Sequence, residues 1–155
     1  MIDRKPPGAI RFTFSYSEGD VRLDSLERVA MRPLPSHDLD SFEGRSGFWV
    51  ELRDAQDRVV HRRVLHDPLR HEVEVFPEGG VGEFTRVPVA RPAGTFDVVV
   101  PDLPGARELT LHASLPDPAP ATETEADRAA RISAGRGRPA QVIARIPIPA
   151  APEAR

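Results

Sequence analysis

The stretch from Gly47 to His66, GFWVELRDAQDRVVHRRVLH, constrains the fold more than any other part of the chain. Phe48, Val50 and Leu52 alternate with Trp49, Glu51 and Arg53, the period of two expected where one face of a strand meets a core. Asp54-Ala55-Gln56-Asp57 supplies turn chemistry, because aspartate side chains bond to nearby backbone amides and tolerate tight conformations. A return strand follows from Arg58 to Leu65, and its β-branched Val59, Val60 and Val64 fit a pleated surface. Trp49 interrupts the polar face and is expected to fill a central core position.

The other segments arrange themselves around this hairpin. Ile10, Phe12, Phe14 and Tyr16 alternate with polar residues and predict a half-buried strand that Glu18-Gly19-Asp20 closes. Val21 to Met31 fits a strand with a bulge better than a helical turn, and Arg32 to Ser46 reads as a loop. Past the turn at Asp67-Pro68, His71 to Phe76 and Phe84 to Val89 predict two strands joined through Glu78-Gly79-Gly80-Val81-Gly82, with Pro88 at an edge or bulge. Thr95 to Val100, TFDVVV, is dense enough in β-branched residues for a strand covered on both faces, and Glu108 to Leu115 follows. Residues 116–140, rich in Pro, Ala, Glu and Arg, read as a long mobile loop, with a short solvated helix at Glu125 to Ile132 as the alternative. The last element, 141–149, predicts an edge strand with Val142, Ala144, Ile146 and Ile148 on one face and Pro147 and Pro149 on the other. A flexible lead covers 1–8.

The spacing and the 17 prolines and 11 glycines in 155 residues predict one all-β domain, an antiparallel β-sandwich of immunoglobulin- or fibronectin-like type, with barrel closure as the alternative. A net charge of −3 does not call for a bulk polyanionic partner. The absence of cysteine excludes disulfide scaffolds, thiol catalysis and thiolate zinc sites. No apolar run reaches the length of a membrane helix, and MIDRKPPGAI lacks the apolar core of a signal peptide, so a cytoplasmic location is expected.

Catalytic and metal signatures are incomplete. His61, His66 and His71 recur every five residues, but strand parity turns His66 away from the other two, and Arg62, Arg63 and Arg70 repel a cation. His71-Glu72 opens like a zinc-protease motif, but Val75 stands where the second histidine belongs. Gly44-Arg45-Ser46-Gly47 lacks the spacing and the strand-to-helix turn of a nucleophile elbow. Gly79-Gly80-Val81-Gly82 has no phosphate-binding lysine or following helix. No catalytic residue, metal or cofactor is assigned, and the expected role is non-enzymatic, with a small-ligand-binding or hydrolytic domain as the alternative. Arg58, Arg62, Arg63 and His61 on the return strand, with the loop from His37 to Arg45, form the candidate surface for a protein or peptide partner of unknown identity. The same arginines also suit an edge strand that resists aggregation.

Arg136-Gly137-Arg138-Pro139 resembles the core of the AT-hook, a minor-groove DNA-binding peptide, which makes Arg136 and Arg138 candidate DNA contacts. Its flanks Ala134, Gly135, Ala140 and Gln141 bring no further cation for phosphate contacts, so nucleic acid is the less favoured partner. Across residues 10–115, the order RVAMRPLP, GFWVELRDAQDRVVHRRVL and FTRVPVARPAGTFDVVVPDL resembles bacterial accessory β-sandwiches, in particular the module that precedes the catalytic domain of IgA-peptidase-like zinc metallopeptidases. The chain departs from those proteins in having no peptidase motif, and the resemblance implies a non-catalytic adaptor or recognition module.

Overall fold

A computed structural model describes residues 8–151. Along the described residues run β1 (Ala9–Ser17), β2 (Asp20–Val29), β3 (Phe48–Asp54), β4 (Val59–Leu65), β5 (Glu72–Val75), β6 (Thr85–Pro88), β7 (Ala93–Pro101), β8 (Ala106–Ala113), α1 (Glu125–Arg136) and β9 (Gln141–Pro147). Strand dominates and all of these pairings are antiparallel, as the alternation predicts. The proposed lead at 1–8 falls outside the described residues except for Gly8.

Local chemistry sets the turns. Ser17 pairs with Asp20, so β1 and β2 are joined by Glu18 at φ 51° and Gly19 at φ 92°. Two positive φ values make the primed turn whose twist matches its flanking strands, and Gly19 adopts it without a Cβ clash. At the β3–β4 turn the Asp54 carboxylate accepts the amides of Gln56 and Arg58, and Asp57 takes φ 61°.

β2-β1-β7 form a three-stranded sheet and β4-β3-β8-β9 a four-stranded one. Ile10, Phe12 and Phe14 of β1 and Val98 and Val100 of β7 join Val50 and Leu52 of β3 and Leu109 and Leu111 of β8 in one buried cluster, so the two sheets face each other across it. Burying each such side chain contributes about 1.5–3 kcal/mol, which makes this cluster the main source of stability.

Several expectations change in detail. The parity that sends Val50 and Leu52 inward sends Trp49 to the outer face of its sheet, where it is buried but outside the cluster between the sheets. β7 is a sheet edge covered chiefly on one face, with Val98 and Val100 buried and Asp97 exposed. The bulge in β2 is present: pairing slips from Ser25 to Leu23, leaving Asp24 as the extra residue. β9 does form the edge beside β8, but a second slip leaves Ile143 extra, so Ile143, Ala144 and Ile146 pack on the core and Val142 is exposed.

The largest correction concerns 116–140, where the helix given as the alternative forms in place of a continuous loop and runs on to 12 residues. Thr124 and Asp127 form a reciprocal capping box, while Glu125 and Asp127 at the start and Arg136 at the end suit the helix dipole. One large apolar residue, Ile132, anchors the helix. It suffices because Gly135 lets α1 approach the backbone of Leu115 and Pro116, where a Cβ would lie 2.4 Å from Pro116 Cα.

β5 and β6 make a separate two-stranded sheet. The Val89 amide donates to the His71 carbonyl at 2.7 Å. Hydrogen-bonded pairs alternate along the ladder, so the missing amide of Pro88 faces away from β5, where it costs no bond. No helix among the described residues is long and apolar enough to cross a membrane.

Candidate functional site

The parity that turns Trp49 to the outer face of the four-stranded sheet places Glu51 there too, yet both are buried. Trp49 Nε1 donates to its Oε1 at 3.1 Å, and Arg62 Nε and Nη2 donate to the same oxygen at 3.0 and 2.8 Å. Arg53 Nη2 donates to Oε2 at 2.6 Å, and His112 Nε2 lies 3.2 Å from it. Burial alone would push the Glu51 carboxyl up, but the hydrogen bonds from His112, Arg62 and Arg53 outweigh it and hold the group well below the usual carboxylate range. Five polar contacts occupy both oxygens. Glu51 is therefore a fastener, with little acceptor capacity left for a substrate.

What covers this cluster is the connection between β2 and β3. Arg62 Nη1 donates to the carbonyls of Asp38 and Asp40, both at 2.6 Å, and its guanidinium lies 3.9 Å from the Phe42 ring centroid. Phe42 meets Trp49 edge-on at 5.2 Å, and Trp49 stacks on His112 at 5.0 Å. Along the outer edge of β4, the His37 amide donates to the Arg62 carbonyl at 2.8 Å, and Ser36 Oγ accepts the Arg62 amide at 3.0 Å.

This arrangement corrects the partner surface expected on the return strand. Arg62, at 2% exposure, and His61, at 4%, are both withdrawn from solvent. Burial, reinforced by Arg63 and His37, pushes the His61 imidazole below its ordinary value, and its Nε2 is buried without a partner. Arg63 is half-buried, and Arg58 is exposed but paired with Asp54 at 2.8 Å. The turn that fixes the β3–β4 register sets Glu51 opposite Arg62. That cross-strand opposite-charge pair was the available sign of an ionic cluster.

The Arg136–Pro139 motif is folded in place. Arg136 ends α1 and pairs with Glu72 at 2.8 Å, while Arg138 forms two bonds of 2.6 Å with the Asp117 carboxylate. Both guanidinium groups that the DNA reading assigned to a minor groove face carboxylates of this chain.

Asp67 and His71 meet at the foot of the β5–β6 hairpin, with Oδ2 and Nδ1 3.3 Å apart. Burial raises the Asp67 carboxyl and the His71 hydrogen bond lowers it further, so the net direction is down. His71 also lines a cavity of about 460 Å³ with Ile132, Leu115 and Arg131. That volume is in the range of small-ligand sites. No serine, threonine or cysteine lines it, so no side-chain hydroxyl or thiol stands beside the histidine there, and Arg131 is bound to Glu123. His61, His66 and His71 do not assemble, and no group of three metal-ligating side chains occurs among the described residues.

The surface feature missed in the sequence is the exposed apolar surface of the β5–β6 hairpin. Val73 and Val75 of β5 are nearly half exposed, Phe76 is 66% exposed and Val81 87%, and Phe84 is also largely open. The Phe76 and Phe84 rings lie 6.0 Å apart beside the glycine-rich tip, where Gly79, Gly80 and Gly82 all take positive φ. Its foot is fixed by buried Leu69, by the Asp67–His71 contact and by Glu72 on Arg136. Aromatic residues flanking a glycine run were the available signal. Comparison of the chain with family models, curated proteins and solved structures found no match.

Proposed function

We propose that this chain is a non-catalytic module, an immunoglobulin-like sandwich in architecture, that binds a partner protein through the β5–β6 hairpin. The sandwich reading is supported by three- and four-stranded sheets sharing one core. The accessory-module resemblance points the same way.

One observation carries the binding reading: the β5–β6 hairpin exposes five large apolar side chains to water, Val73 and Val75 on β5 and Phe76, Val81 and Phe84 in the connection. A soluble chain gains nothing from such a patch unless something covers it. A free hairpin is marginally stable, but this one is anchored at its foot, so less ordering entropy is lost on docking. Paired aromatic rings are also the residue type that dominates binding energy at interfaces. β4 offers no comparable site, because residues 36 and 37 already engage its free edge.

The test is photo-cross-linking in the producing cell with a benzophenone side chain at position 76, and at exposed Arg22 as control. The expected result is one defined protein adduct at 76 that is absent at 22 and lost in Phe84→Ser. The same adducts at both positions, or none at 76, would overturn the proposal.

A further inference from the structure

We infer that the hairpin's partner is a second copy of this chain, and that its seat is the cleft at the base of the hairpin, exchanged reciprocally about a two-fold axis. This rests on the hairpin being a docking arm, and it follows from the distribution of charge.

Residues 72–85 carry four carboxylates and no basic residue. Glu72 is taken up by Arg136 and Glu74 approaches Arg86, but Glu78 and Glu83 have no cation within ion-pair distance among the described residues. The arm is thus an apolar tip wrapped in negative charge. Pairing two β5 edges would bring glutamates face to face, which disfavours arm-on-arm association. The arm needs a seat that is both apolar and cationic.

The cleft of about 490 Å³ beside the arm's foot has that character. Phe48, Trp49, Val64 and Leu65 line it, Val64 is 41% exposed, and the one carboxylate in its lining, Asp67, is engaged by His71. Arg45 stands at its rim with its guanidinium 4.3 Å from the Phe42 ring centroid and no carboxylate partner among the described residues, and Arg136 and His66 are close by. Glu72 on Arg136 already shows an arm glutamate meeting this cationic rim at short range. The arm of the same chain leaves its phenyl rings in solvent, so the cleft is free for another arm. Because arm and cleft belong to one region, a two-fold axis lets each copy insert its arm into the other, forming every contact twice and closing the assembly as a dimer.

Sedimentation velocity and light scattering over a dilution series test this. The wild type is expected to show a monomer–dimer transition. Phe76→Ser with Phe84→Ser, and separately Arg45→Glu, are expected to weaken dimerisation at least tenfold, with circular dichroism confirming an unchanged fold. Glu78→Arg with Glu83→Arg weakens it alone and is expected to restore it when combined with Arg45→Glu. A chain that stays monomeric throughout, or a dimer that ignores both sets of variants, overturns the second copy as partner. Cross-linking at position 76 separates the two proposals: an adduct to a different protein keeps the arm and removes the self-partner, whereas no adduct removes both.

Discussion

Replacing Gly135 by alanine sets two effects of opposite sign against each other. In an isolated helix alanine is favoured over glycine by about 0.8–1 kcal/mol. Here the added Cβ would lie 2.4 Å from Pro116 Cα, 2.5 Å from Pro116 N and 2.9 Å from the Leu115 carbonyl carbon. Carbon atoms in good contact sit about 3.5–4 Å apart, so α1 must withdraw by roughly 1 Å, and the atoms in the way are backbone. Overpacking of this kind costs about 1–3 kcal/mol, and withdrawal also erodes the burial of Ile132, worth about 1.5–3 kcal/mol when complete. The net expectation is destabilisation by about 1–2 kcal/mol, a fall in Tm of roughly 5 °C for a chain of this size. Urea titration and thermal unfolding read it directly. Gly137→Ala is the control: its Cβ meets only the Ala134 carbonyl at 3.8 Å and its φ is −84°, so it should be neutral or stabilising by a few tenths of a kcal/mol. If Gly135→Ala is as stable as the wild type or more so, the close approach of helix and backbone is not what holds α1.

Glu51→Gln leaves the buried Arg62 guanidinium without its counter-charge, and breaking one side of a buried pair costs about 3–5 kcal/mol. Arg58→Ala, which removes an exposed pair with Asp54, should cost under about 1 kcal/mol, and similar losses for the two variants in urea titrations would contradict the fastener role. Acid should act in two stages. His61 is depressed below its ordinary 6.5, so the unfolded chain binds its proton first and stability falls as pH drops below that value. Glu51 and Asp67, also depressed, contribute stability that is present above about pH 4 and lost further down. Denaturant midpoints against pH check both stages, and His61→Phe should abolish the upper one alone; a midpoint that stays flat between pH 7 and 5 contradicts it.

Parity was the most legible part of the sequence. Ile10-Phe12-Phe14 and Val50-Leu52 announce both the strands and their inward faces, and the polar turns at Glu18-Gly19 and Asp54-Asp57 fix where they reverse. Parity says which residues share a face, but not what covers that face. Arg62 and His61 were therefore read as surface, since nothing periodic in 32–46 shows that Phe42 and the Asp38 and Asp40 carbonyls come down on them. The helix ranked only as the alternative for a different reason. Its stability rests on the Thr124–Asp127 cap and one glycine contact, neither of which produces an apolar stripe. The bulges at Asp24 and Ile143 shift a strand by one residue, and Val142 consequently ended up on the wrong side of the expected pattern.

The ionic cluster around Glu51 reaches β3, β4, β8 and the connection at Asp38 and Asp40, segments separated by as much as 74 positions from Asp38 to His112. Strands and connection are thereby tied into one cooperative unit. The connection between β2 and β3 contains no helix or strand, yet the bonds from Arg62 to its carbonyls tie it to the sheet beneath it. Order in this chain is decided by what each segment is fastened to, and a stretch without regular structure is held in place through one buried guanidinium.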